Sequence, residues 1–175
     1  MKIRNMAPVL AAAMAFAVLA HAEDKKPAPA AGDRFEQFKQ LAGDWVGTAS
    51  GHGPEEKDVH VQFKVTAGGS AVVETEFPGT EHEMVTVITQ DGDDLALTHY
   101  CMLGNQPHMK ADGKGAGDKV PFKFVSVGNA NPDKDMFMHD VTYTFVDKDT
   151  LKAEWTHCHE GKVQGMVVIE LKRKK

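Results

Sequence analysis

The side chains best suited to chemistry in this chain are imidazoles, thioethers and two thiols, and they recur near the ends of extended segments. His157-Cys158-His159 places two imidazoles at i and i+2, a spacing that puts both on one side of a β-strand. His99 and Cys101 repeat that spacing in the run from Leu95 to Met109, which also holds Met102, His108 and Met109. Two imidazoles on one strand chelate an ion only when a neighbouring strand adds a third ligand, and His139 or His99 could supply it. The candidate metal set is therefore His99, His139, His157 and His159. Thioether and thiolate neighbours would favour copper, whereas imidazole alone suits zinc, copper or haem iron.

The same residues admit two other readings. A mouth rich in Met and His is partly apolar and adaptable, which suits an organic ligand. Phe137, Tyr143, Phe145 and Trp155 would then form the apolar wall, with His99 and Cys101 beside them. In the third reading the histidines only bond to water or carbonyls at a rim. No catalytic residue is assigned. Ser50, Ser70 and Ser126 lack a nucleophile context, and a same-face His99/Cys101 pair fixes no base geometry. Glu74 and Glu76 share a strand face that reads as a solvated outer one.

The elements that must position these groups are strands. In Leu95 to Cys101 the period is two, with Leu95, Leu97, His99 and Cys101 on one side, and Gly104 to Pro107 ends the run. Similar runs are expected at Trp45–Ser50, Lys57–Val65, Ser70–Phe77, Glu83–Thr89, Asp94–Met102, His108–Gly113, Val120–Val127, Met136–Val146, Leu151–His159 and Met166–Lys172. Short connections and the lack of any long helical crossover predict an all-β antiparallel up-and-down barrel of about ten strands. One short helix precedes it, Arg34 to Leu41, with Phe35, Phe38 and Leu41 at helical spacing and Asp33 as N-cap. Turns at the Trp45 end are mostly tight. Those at the other end, including Gly51 to Glu56, Gly128 to Asp135 and Glu160 to Gly165, read as longer, as in a cup with a closed floor and an open mouth. A register burying both apolar sets of the Met136–His159 hairpin would set His139 across from His157 or His159.

The chain has 175 residues. Residues 1–22 carry Lys2 and Arg4, an apolar run from Ala7 to Ala20 and the small-x-small site Ala20-His21-Ala22, which predicts a signal peptide cleaved after Ala22. The apolar run is shorter than the ~20 residues a spanning helix needs, so no membrane span is expected after cleavage. Residues 23–32 read as a flexible linker and 33–175 as one barrel domain. A formal net charge of −5, with acids and bases interspersed, argues against a nucleic-acid partner. The two cysteines are out of phase, Cys101 with Leu97 and Cys158 with Glu154 and Thr156, and a bridge needs Cβ atoms that face each other.

The helix followed by Leu41-Ala42-Gly43-Asp44-Trp45-Val46-Gly47-Thr48 resembles the entry to the first strand of calycin-type barrels, the lipocalin and nitrobindin kind, where Gly-x-Trp closes the floor. The layout is also similar to small exported bacterial barrels of unknown function. Two features depart from close relatives: there is no helical lid after the first strand, as in fatty-acid-binding proteins, and no long C-terminal helix, as in lipocalins. No His motif matches a haem ligand of the ten-stranded nitrobindins. The resemblance implies a cavity inside the barrel, and the resulting expectation is an exported, periplasmic or secreted protein that holds a small apolar or amphipathic molecule. A metal- or haem-binding barrel is the alternative.

Overall fold

Alternating apolar residues over ten successive segments are buried together when the sheet closes on itself, and closure also leaves no strand edge unpaired. The computed structural model describes residues 31–51, 55–112 and 117–175 and shows that closure. The leader, residues 23–30 of the linker, His52 and the Gly-rich segment 113–116 lie outside the described residues.

The helix α1 (Ala31–Lys39) is followed by strands β1 (Gly43–Ser50), β2 (Glu56–Thr66), β3 (Ala71–Glu76), β4 (Met84–Asp91) and β5 (Asp94–Tyr100). Strands β6 (Gln106–Ala111), β7 (Lys119–Gly128), β8 (Phe137–Asp147), β9 (Thr150–His159) and β10 (Lys162–Arg173) complete the barrel. Each strand pairs antiparallel with its sequence neighbours, and β1 pairs with β10 to close the ring. The expected up-and-down barrel is the observed one. At Gly47 a Cβ would lie 1.8 Å from the Glu170 carbonyl oxygen, so β1 and β10 meet there only because the residue is glycine.

Most boundaries shift by one to four residues, and two of the shifts have a local cause. The helix begins at Ala31, which places Asp33 inside its first turn, where a carboxylate still complements the helix dipole. The segment Glu160–Gly165 is no long loop. Glu160 (φ 52°) and Gly161 (φ 68°) form a two-residue turn with the left-handed geometry that matches strand twist, so Lys162 already pairs with His159.

The floor is built from α1. Phe38 is fully buried, and its ring meets Tyr143 and Phe145 at 5.2 Å and Phe122 at 5.9 Å, all edge-on. The Trp45 indole donates to the Leu41 carbonyl at 2.7 Å. Arg173 from the last strand lies 4.4 Å over the Trp45 ring and donates to the Gln40 and Ala42 carbonyls at 2.7 and 2.9 Å. These bonds satisfy carbonyls left over at the helix C-terminus and pin the helix into the barrel end. Apolar packing therefore fills the half of the barrel nearest α1 and leaves the opposite half for a site.

Candidate functional site

Opposed residues in an antiparallel ladder share a face, so the inner surface can be followed from strand to strand. On that surface Phe63, Glu74, Thr86 and His99 form one row across β2 to β5. Glu76 sits one step above, opposite Val61 and Met84. Both glutamates are therefore interior, at 1% and 3% exposure, and the expected solvated outer face is corrected. The alternation of β3 alone misleads, because Val73, Thr75 and Phe77 form the more apolar set. The correct side follows from the partner strands, since the tight connection pairing Thr66 with Ala71 sets Glu74 against the buried Phe63.

The row crosses the barrel as a polar layer. The Tyr143 hydroxyl donates to Glu74 at 2.5 Å, and Thr86 Oγ1 lies 2.8 Å from His99 Nδ1. The His99 ring stands 5.0 Å from that of Trp155, on β9. Burial, then the charge of Glu76, pushes the Glu74 carboxyl well above the usual carboxylate range, against the pull of the Tyr143 bond. Burial alone raises Glu76 to about 7 and lowers His99 to about 4, so His99 is neutral at physiological pH.

Above this layer lies a cavity of about 310 Å³ opening toward the long-loop end. Its wall is mostly apolar, with Met84, Met102, Met136, Met138, Val167 and Ile169 among the contributors, and Glu76, His99, Cys101, Trp155 and His157 are its main polar ones. Among the described residues, three polar atoms of wall residues are buried without a hydrogen-bond partner: Glu76 Oε1, His99 Nε2 and Trp155 Nε1. Such a state is unfavourable for each atom by ~1–3 kcal/mol unless something bonds to it.

Of the residues singled out in the sequence, His99, Cys101, Trp155 and His157 line the cavity. Tyr143 and Phe145 lie below it, packed on Phe38. Phe137 and His139 are displaced by a bulge. Met138 pairs with His157 and Val141 with Trp155, so His139 and Asp140 together oppose Thr156. The Asp140 carboxylate accepts from the Phe124 amide at 2.9 Å and from Lys123 at 2.8 Å, taking the place of a ladder bond where β7 and β8 separate. The bulge reverses parity: Met138 faces the cavity, and Phe137 with its partner Cys158 takes the other face. The His139 ring stacks on Phe124 at 4.7 Å, and its Nδ1 lies 3.0 Å from Asp140 Oδ1.

His139 is consequently not opposite His157 or His159, which corrects the register expected for this hairpin. His159 sits at the β9–β10 turn, His60 lies beside Asp44, and His108 beside Thr98. Among the described residues no group of three or more His, Cys, Asp and Glu side chains is placed to hold one ion. Cys101 and Cys158 are free thiols, on opposite faces of the sheet. Burial raises both thiols above the ordinary range.

No family model and no curated protein sequence matches this chain. A solved structure does. The crystal structure of Rv2717c from M. tuberculosis superposes with a TM-score of 0.57 at 19% identity, covering 81% of this chain and 97% of that one. At that identity the likeness is one of fold alone. Among the described residues no helix is long and apolar enough to cross a membrane.

Proposed function

We propose that this protein is an exported calycin-type barrel that holds a small amphipathic molecule in the cavity above its polar layer. One observation carries the reading. An apolar cavity of about 310 Å³ has three unpartnered polar atoms buried in its wall, on Glu76, His99 and Trp155. That combination of apolar surface with a few convergent polar groups is the usual composition of a small-molecule site. Export rests on the leader-like residues 1–22, and a periplasmic or secreted location follows from it.

A second reading has its own support. Four methionines, Cys101, His99 and His157 line the same cavity, and that donor set suits a soft ion such as Cu(I) better than zinc. In this reading His99 and His157, rather than the full His99, His139, His157 and His159 set, would be the imidazole ligands. Native mass spectrometry with metal analysis, on protein exported and purified without chelators or affinity histidines, separates the two. An organic adduct, or a metal-free mass that gains nothing when copper, zinc or haem is added, supports the amphipathic-ligand reading. A stoichiometric metal or haem adduct overturns it.

A further inference from the structure

We infer that the cavity selects ligands carrying a protonated amine at the end of a short apolar body, with Glu76 as the counter-ion. This rests on the small-molecule reading above and narrows it to one chemical class. Among the described residues no Lys or Arg lines the cavity, whereas Glu76 lies in its wall and Glu56 at its rim. Glu74 is buried directly beneath, and among the described residues its side-chain bond comes from an uncharged hydroxyl, that of Tyr143. Among the described residues no cation stands against these two buried carboxyls, an arrangement that disfavours a carboxylate or phosphate headgroup and favours a positive one.

The neighbours fit an ammonium. Its three donors are matched by the Glu76 carboxylate in the cavity wall, whose buried Oε1 has no hydrogen-bond partner among the described residues. In the tautomer whose Nδ1–H donates to Thr86 Oγ1, the neutral His99 ring keeps Nε2 as an acceptor. The Trp155 ring beside it offers an aromatic surface, to which a desolvated cation is attracted. The methionines then receive the apolar body, since unbranched thioether side chains adapt to chains of differing shape.

The pH dependence follows from the groups around Glu76. Glu74 below it, Tyr143 on β8, His99 on β5 and Cys101 just after it, His157 on β9 and Glu56 at the start of β2 are the titratable neighbours. Burial holds Glu76 at about 7, so the charge an ammonium needs is half present near neutrality, nearly complete by pH 8 and lost toward pH 5.5.

The test is calorimetric titration of the mature chain with octylamine, 1-octanol and octanoate, which share one chain length and differ in headgroup, at pH 8 and pH 5.5. At pH 8 octylamine binds ~10-fold more tightly than 1-octanol, and octanoate binds most weakly. Glu76→Gln brings octylamine within ~2-fold of 1-octanol and removes the pH dependence of the preference. The preference of the unaltered protein also falls at pH 5.5, a readout that needs no variant. Equal binding of the three probes, tighter octanoate, or an amine preference that survives in Glu76→Gln overturns the inference while leaving the small-molecule reading in place. If none of the three binds at millimolar concentration, both fail together.

Discussion

Replacing Glu76 by glutamine stabilises this protein in alkaline solution and leaves it nearly unchanged in acid. The side chain is 3% exposed, and burial moves its pKa from an ordinary 4.5 to about 7. The sign follows from proton binding. Between those two values the folded chain keeps a proton that the unfolded chain releases, so stability falls as pH rises through the interval and stays lowered above it. Each pKa unit corresponds to ~1.4 kcal/mol, and the difference between 4.5 and about 7 therefore amounts to ~3 kcal/mol above pH 8. An amide carries no charge to desolvate and also relieves Glu74, which Glu76 pushes upward. Urea unfolding at pH 5 and pH 9 gives the comparison. Glu76→Gln should match the parent at pH 5 and exceed it by ~2–4 kcal/mol at pH 9. Equal stability at both pH values would place Glu76 in solvent and refute the interior polar layer.

Other expectations follow from the same packing. His99 titrates in the opposite sense: its pKa falls from 6.5 to about 4 on burial, so the unfolded chain gains a proton first and stability drops by up to ~3 kcal/mol as pH falls through that range. In the Glu76→Gln background, where the opposing carboxyl is gone, His99→Gln flattens this acid limb, and an unchanged limb would count against a buried neutral imidazole. Phe38→Ala removes the ring that Phe122, Tyr143 and Phe145 pack upon and lowers stability by ~3–5 kcal/mol in denaturant unfolding; a loss under ~1 kcal/mol would mean α1 is not part of the floor. Gly47→Ala drives a Cβ to 1.8 Å from the Glu170 carbonyl oxygen, so the β1–β10 seam must open; a soluble variant with parental Tm would contradict the closed ring.

The strands were legible because period-two alternation is a local signal and the turns between them carry Gly, Asp and Asn. All ten predicted strands overlap the observed ones, and the helix was found from Phe35, Phe38 and Leu41. The candidate site was legible only where a strand keeps strict alternation up to its end. On β5 and β9 it does, and His99, Trp155 and His157 lie on the inner face that alternation assigns them. On β8 it fails, because Asp140 captures the Phe124 amide and introduces a bulge that no apolar pattern announces. Phe137 and His139 leave the inner surface for that reason. Tyr143 and Phe145 are on the inner face but too near α1, a distinction of height along the strand rather than of parity. An acidic pair among valines, Glu74 and Glu76, reads as solvated, and only its register with Phe63 and Val61 brings it inside.

The central claim, a ligand cavity floored by the polar layer, is tested most directly by the indole N–H resonances. The chain has two tryptophans. Trp45 donates to the Leu41 carbonyl in the floor, whereas Trp155 Nε1 is buried in the cavity wall without a partner. In a ¹H–¹⁵N correlation spectrum titrated with 1-octanol, the Trp155 indole peak should shift in a saturable manner while that of Trp45 stays in place. A Trp155 peak that does not move, or two peaks that move together, would contradict the account.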